Sequence, residues 1–238
     1  MLERNVIHNV ECLQGMRAIE DKAIDLVLCD LPYGTTQNKW DSVIPLPELW
    51  RQYERIIKPN GAIVLTAMQP FTSLLVASNL RRFKYEWIWR KPLGTGFLNA
   101  KKQPLRNHES ALVFYAKQPT YNPQFTQGKP YTQTKRNHTP NYGKIKLTTS
   151  ESNGKRYPLS VQNFNYDRKK LHPTQKPIAL FEYLVRTYTN PGELVLDNCM
   201  GSGTTAVACR NTGRDFIGFE MSKEYCEAAN ARQRALLK

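Results

Sequence analysis

The chain has 238 residues, 40% of them hydrophobic, enough for a full α/β core and more than a minimal recognition module needs. No apolar run reaches the ~18–20 residues of a spanning helix, and the opening MLERNVIHNVECLQG has no apolar signal core, so a cytoplasmic protein without membrane partners is expected. The net charge of +14 is concentrated: positions 81–170 carry 19 Lys and Arg against four acids, whereas the rest carries 15 against 16. Such segregation suits a face that neutralises phosphates and gains affinity from released counterions. A disordered basic loop is the plainer alternative.

In chain order, Lys22 to Cys29 ends in an apolar run that predicts a strand buried on both faces. Leu49, Tyr53, Ile56 and Ile57 then recur at helical spacing, and Pro59-Asn60-Gly61 is read as the stop. Ala62 to Leu65 predicts a strand, Phe71 to Leu80 a helix, and Tyr85 to Trp89 a further strand. This βαβαβ alternation argues for a mostly parallel sheet with helices on both faces. Ala111 to Tyr115 adds a core strand. Between Gln118 and Leu171 apolar periodicity nearly vanishes, and the stretch is rich in Pro, Gly, Asn, Thr, Tyr, Lys and Arg. Regular structure resumes with an amphipathic helix from Pro177 to Val185 and a strand at Leu194 to Leu196. A helix from Thr204, a strand at Asp215 to Phe219 and a closing helix follow.

Two turns at strand ends carry the chemistry. The first, Asp197-Asn198-Cys199-Met200-Gly201-Ser202-Gly203-Thr204-Thr205, lies between a strand and a helix. Its glycines allow close backbone approach to a ligand, and the helix amino terminus favours an anionic group. Glu220, at the end of the next strand, suits a ribose diol. A phosphate-cradling loop would need Lys after Gly203. A dinucleotide pyrophosphate would be repelled by Asp197, where a cationic amino group is favoured instead. A nucleoside with a charged amino-acid tail fits best, ahead of a turn with no ligand.

The second turn is Asp30-Leu31-Pro32-Tyr33 at the carboxyl edge of the first strand, where ligands bind in doubly wound sheets. An exocyclic amine is a weak nucleophile because its lone pair is delocalised into the ring. Two acceptors, the Asp30 carboxylate and the carbonyl of Leu31 or Pro32, can bind both its N–H groups and favour a tetrahedral, positively charged transition state. Tyr33 offers a face on which an extracted base can stack. Asp and Pro also favour ordinary turns, so this motif gains its meaning from the Gly-rich site. The five cysteines (Cys12, Cys29, Cys199, Cys209 and Cys226) form no C-x-x-C pair and are read as small buried residues, with no metal site and no covalent nucleophile.

Together, Asp30 to Tyr33, Asn198 to Thr205 and Phe216 to Glu220 resemble the β-group DNA amino-methyltransferases (adenine-N6 or cytosine-N4). In that family too the catalytic motif precedes the cofactor motif. The resemblance implies an α/β, Rossmann-like, doubly wound S-adenosylmethionine-dependent methyltransferase fold, circularly rearranged, with an inserted basic recognition region. It implies a catalytic half at 1–117, a target-recognition insertion at 118–171 and a cofactor-binding half at 172–238. His172-Pro173-Thr174-Gln175-Lys176-Pro177 resembles the segment that closes over the methionine part of the cofactor. S-adenosylmethionine would thus be held by Asp197, Gly201, Gly203, Thr204, Thr205 and Glu220, with His172, Thr174 and Lys176. In the family, Asp at the first catalytic position accompanies adenine and Ser accompanies N4-cytosine, so N6 of adenine in duplex DNA is the expected target. N4 of cytosine and an inactive DNA-binding relative are the alternatives. A homodimer, a cognate restriction nuclease and a prokaryotic or phage origin belong to the same expectation. Leu31 and Asn198-Cys199 depart from the usual Pro and Pro-Phe.

Within 118–170, Tyr121, Phe125, Tyr131, Tyr142, Tyr157, Phe164 and Tyr166 interleave with ten Lys or Arg. Basic groups can hold phosphates while aromatic groups reach bases or fill the space left by a flipped one. Arg136, Arg156 and Arg168 are candidate guanine readers. His108 is read first as a core or loop histidine and second as a DNA contact.

Overall fold

A computed structural model describes residues 2–34, 41–134, 149–168 and 175–235. Contacts divide the chain into two compact units, residues 1–122 with 160–238, and residues 123–159.

The larger unit is built on an eight-stranded sheet. Its strands, in chain order, are β1 (Val6–His8), β2 (Ile24–Asp30), β3 (Ile57–Ala67), β4 (Phe83–Thr95) and β5 (Arg106–Phe114). The small unit contributes β6 (Thr126–Gln127), β7 (Tyr131–Thr134), β8 (Thr149–Ser152) and β9 (Lys155–Arg156). The main sheet then adds β10 (Val161–Asn163), β11 (Leu194–Asp197) and β12 (Asp215–Phe219). The helices are α1 (Cys12–Arg17), α2 (Leu46–Ile56), α3 (Phe71–Ser78), α4 (Ile178–Tyr188), α5 (Thr204–Thr212) and α6 (Lys223–Arg234). The main sheet runs β1-β12-β11-β2-β3-β5-β4-β10, parallel throughout except β5, which is antiparallel to both β3 and β4.

Alternation along β2 builds a core on each face. Val27 and Cys29 join Leu49, Tyr53 and Ile56 of α2, whereas Leu26 and Leu28 join Phe181, Leu184 and Val185 of α4. A strand covered on both sides needs an unbroken apolar run, as its sequence has. The chain leaves β2 towards β3 and leaves β11 towards β12, in opposite directions across the sheet. The crevice between the carboxyl ends of β2 and β11 is therefore the switch point at which such sheets bind ligands.

Two expectations change. Pro59-Asn60-Gly61 does not form a separate turn after α2; it lies inside β3, where the β2 register jumps from Ile24↔Ile57 to Leu26↔Ala62. The reason is contact: a Cβ at Gly61 would stand 2.8 Å from the Asp25 carbonyl, so only glycine lets this bulge lie against β2. Within the expected insertion, residues 126–134 and 149–156 form two short antiparallel pairs, while β10 joins the main sheet beside β4. Local hairpins of polar residues leave little apolar periodicity to read.

Candidate active site

A cavity of about 790 Å³ opens at the switch point, with Asp30, Tyr33, Lys176, Asp197, Gly201 and Glu220 among its walls. Asp30 ends β2 and Asp197 ends the neighbouring β11, so the parallel register puts both turns on one crevice.

At the β11 end, Asp197 is buried, and its carboxylate accepts from the Cys199 amide at 3.0 Å and from the Thr205 hydroxyl. Burial pushes this carboxyl up to about 6, although those hydrogen bonds act the other way. Gly201 and Gly203 have φ of +50° and +81°, and at Gly201 the space where a side chain would stand is open. Gly203 instead packs on α6, where an added Cβ would lie 3.0 Å from the Ala229 Cβ. Glu220 accepts the Gly201 and Ser222 amides at 2.8 Å, one on each oxygen. Each carboxylate oxygen retains a second lone pair for a hydroxyl donor. Asn198, in the position of the usual proline, is buried and accepts from Tyr53 at 2.5 Å.

At the β2 end, Leu31 packs into the core beneath the turn, a role that needs bulk and not the proline ring. The Tyr33 ring stacks on Phe71 with centroids 5.4 Å apart, and its hydroxyl donates to Asp30 Oδ1 at 2.8 Å. Burial, then the adjacent Asp30, holds that phenol well above its ordinary value. Thr66 of β3 also donates to Asp30 Oδ1. Lys176 joins this end of the cavity: its Nζ stands 2.8 and 2.7 Å from the two Asp30 oxygens. Its ammonium lies 3.2 Å from Glu109 Oε2, and Lys91 pairs with Oε1 of the same carboxylate. Burial disfavours the Lys176 charge, but Asp30 and Glu109 hold it protonated, well above the ordinary lysine value.

No nearby thiol is activated. Burial pushes Cys29 up to about 12, and Cys12 is raised by its contact with Cys199 and then by burial. Cys199 is raised as well: contact with Cys12 works against this, and Cys29 and burial outweigh it.

His172 and Thr174 lie outside the described residues, as do Arg136 and Tyr142. Arg168 and His108 are exposed, His108 on β5 opposite Arg90 and not in the core. In the small unit, Arg156 donates to Ser152 Oγ and Lys129 O and lies 4.5 Å over the Tyr131 ring. Phe164 and Tyr166 belong to the larger unit, packed edge-on against Tyr183 and Trp89. Thr66, Lys91 and Glu109 were not among the site residues expected from the sequence; they converge through strand pairing.

A family model described as DNA methylase matches residues 24–231. The chain belongs to the N6/N4 DNA methylase family. It is 30% identical to the type II methyltransferase M1.MboII of Moraxella bovis, across 97% of this chain and 96% of that protein. It is 26% identical to the type II methyltransferase M.HpaI of Haemophilus parainfluenzae, across 92% and 71% respectively. The crystal structure of an M1.HpyAVI–SAM complex aligns with a TM-score of 0.65 at 25% identity, covering 95% of this chain and 98% of that one. The PvuII cytosine-N4-specific DNA methyltransferase aligns with a TM-score of 0.68 at 16% identity, covering 96% and 87%. This chain is therefore a DNA methyltransferase with a methyltransferase α/β fold. No described helix is long and apolar enough to cross a membrane.

Proposed function

We propose that this DNA methyltransferase modifies N6 of adenine in duplex DNA, on a base turned out of the helix into the crevice between β2 and β11. The observation that carries this reading is the shared cavity: Asp30 at the end of β2 and Asp197, Gly201 and Glu220 at the ends of β11 and β12 line it together. The cofactor is S-adenosylmethionine, which supplies an electrophilic methyl group when bound. The β11 end of the cavity fits it: Glu220 keeps lone pairs for a diol, Gly201 leaves open space, and the buried Asp197 would gain a counter-ion from a cationic amino-acid tail. Thr204 and Thr205 begin α5 and line the same cavity, where they would help hold the cofactor, and Thr205 donates to Asp197.

Asp30 and the carbonyl of Leu31 or Pro32 accept the two N–H groups of the target amine. They draw its lone pair out of conjugation and stabilise the charge that develops on nitrogen. The Asp30 carboxylate then takes the proton that the methylated amine sheds. With every cysteine of the site raised, transfer is direct and needs no enzyme–base adduct. The basic excess of positions 81–170, apart from the buried Lys91, supplies the phosphate attraction. His172 and Thr174 remain expected cofactor contacts, residues 118–171 the expected recognition insertion, and a cognate restriction nuclease the expected partner.

Adenine is favoured by Asp at position 30, on the family correlation. N4 of cytosine would offer two N–H donors to the same acceptors with the same chemistry, and the PvuII enzyme of similar fold is cytosine-N4-specific. Purified protein, labelled S-adenosylmethionine and mixed-sequence duplex DNA decide between them after digestion to nucleosides. N6-methyladenine supports the proposal, and label only in N4-methylcytosine overturns it.

A further inference from the structure

We propose that Lys176 occupies the place of the target amine on Asp30 and withdraws to Glu109 when a base enters. The proposal rests on the reading of Asp30 as the amine acceptor. Oδ1 of Asp30 already receives Tyr33 and Thr66 as well as Lys176 at 2.8 Å, so Oδ2, which Lys176 holds at 2.7 Å, is the oxygen with room for a further donor. An incoming N–H donor must therefore displace this ammonium or share the oxygen with it. Lys176 cannot retreat to water, because its side chain is only 8% exposed. Nor can it shed its proton easily among two carboxylates. Among the described residues the other carboxylate in contact with it is Glu109, whose Oε2 is 3.2 Å away, buried, and without a directed hydrogen bond. A small shift of the ammonium would complete that bond. Lys91, on the opposite oxygen, holds Glu109 in place, with both side chains at most 10% exposed. The four groups sum to zero charge whichever carboxylate Lys176 faces, so the hand-over leaves no uncompensated ion. Lys176 and Glu109 are positioning residues: they decide when Asp30 is available, and Asp30 touches the base.

The test is a mutant cycle read as kcat and KM for target duplex at saturating cofactor, with S-adenosylmethionine affinity measured separately by calorimetry. Glu109→Gln removes the receiving charge and leaves Lys176 on Asp30, so KM for DNA rises at least about tenfold. Lys176→Met in that background removes the competitor, and KM returns to within about threefold of the parent. Lys176→Arg keeps the charge and the fold. Its rigid fork bridges both carboxylates and yields poorly, so KM rises with cofactor affinity unchanged. Defects that add in the double variant overturn the proposal. So does a Lys176→Met variant whose whole loss is weaker cofactor binding. Asp30→Asn separates the two levels: an active Asp30→Asn enzyme overturns the Asp30 reading and this proposal together. An inactive one with additive Lys176 and Glu109 defects overturns the hand-over alone.

Discussion

The Tyr53 hydroxyl donates to Asn198 Oδ1 across 2.5 Å, tying helix α2 to the Gly-rich turn through the middle of the core. Both residues are buried, so neither group has water as a substitute partner. Tyr53→Phe leaves the Asn198 carbonyl orphaned, at a cost of about 1–3 kcal/mol. For a chain of this size a thermal melt should drop by several degrees, at about 2–4 °C per kcal/mol. Cofactor affinity should fall with it, because the turn that lines the cavity loses its anchor. An unchanged melt would show that the turn is held by other contacts.

Asp30→Asn keeps the size of the side chain and replaces one acceptor oxygen by a donor. Methyl transfer is expected to fall about 10²–10³-fold, the range found when one preorganised electrostatic partner is removed. Cofactor binding, measured by calorimetry, should stay within a few-fold of the parent because Asp30 sits at the β2 end of the cavity and makes no hydrogen bond to Asp197, Gly201 or Glu220 among the described residues.

The Asp197 carboxyl, pushed up to about 6 by burial, gives cofactor binding a pH dependence of known sign. A cationic amino group favours the ionised carboxylate. Affinity should therefore be flat above about pH 7 and weaken by up to about tenfold per unit below about 6. Asp197→Asn should bind weakly at every pH and lose that slope. The folded chain also holds this proton more tightly than the unfolded chain does. This carboxyl alone thus adds stability as pH falls from about 6 towards 3.8, opposite to an ion-paired aspartate.

Gly203 opens α5 at φ +81°, and a Cβ there would meet Ala229 of α6 at 3.0 Å. Gly203→Ala should cost at least about 1–2 kcal/mol from the left-handed conformation alone. The expected readout is a lower melting temperature together with weaker S-adenosylmethionine binding. Gly213→Ala, also at positive φ but with nothing within 4 Å, is the control that separates backbone strain from helix contact.

Both strand-end turns were legible because each is written locally. Leu26 to Cys29 forms an unbroken apolar run since β2 is covered on both faces, and glycines 201 and 203 are required by positive φ. Residues 215–219 also read as a strand, and β12 occupies those positions. The charge segregation needed only counting. The surroundings of Asp30 had no such signature. Its partners Thr66 and Lys176 lie 36 and 146 positions away, and a side chain's type and its neighbours' period say nothing of contacts at that separation. Insertion of antiparallel β5 between β3 and β4 brings Glu109 beside Lys91 and Lys176, and strand order is a property of the whole sheet. Sequence alone thus determined the fold class, the two turns and the basic segment. Only the tertiary structure decided that Lys176 meets Asp30 and that Asn198 is held by Tyr53, because buried charges and amides find partners by packing across elements.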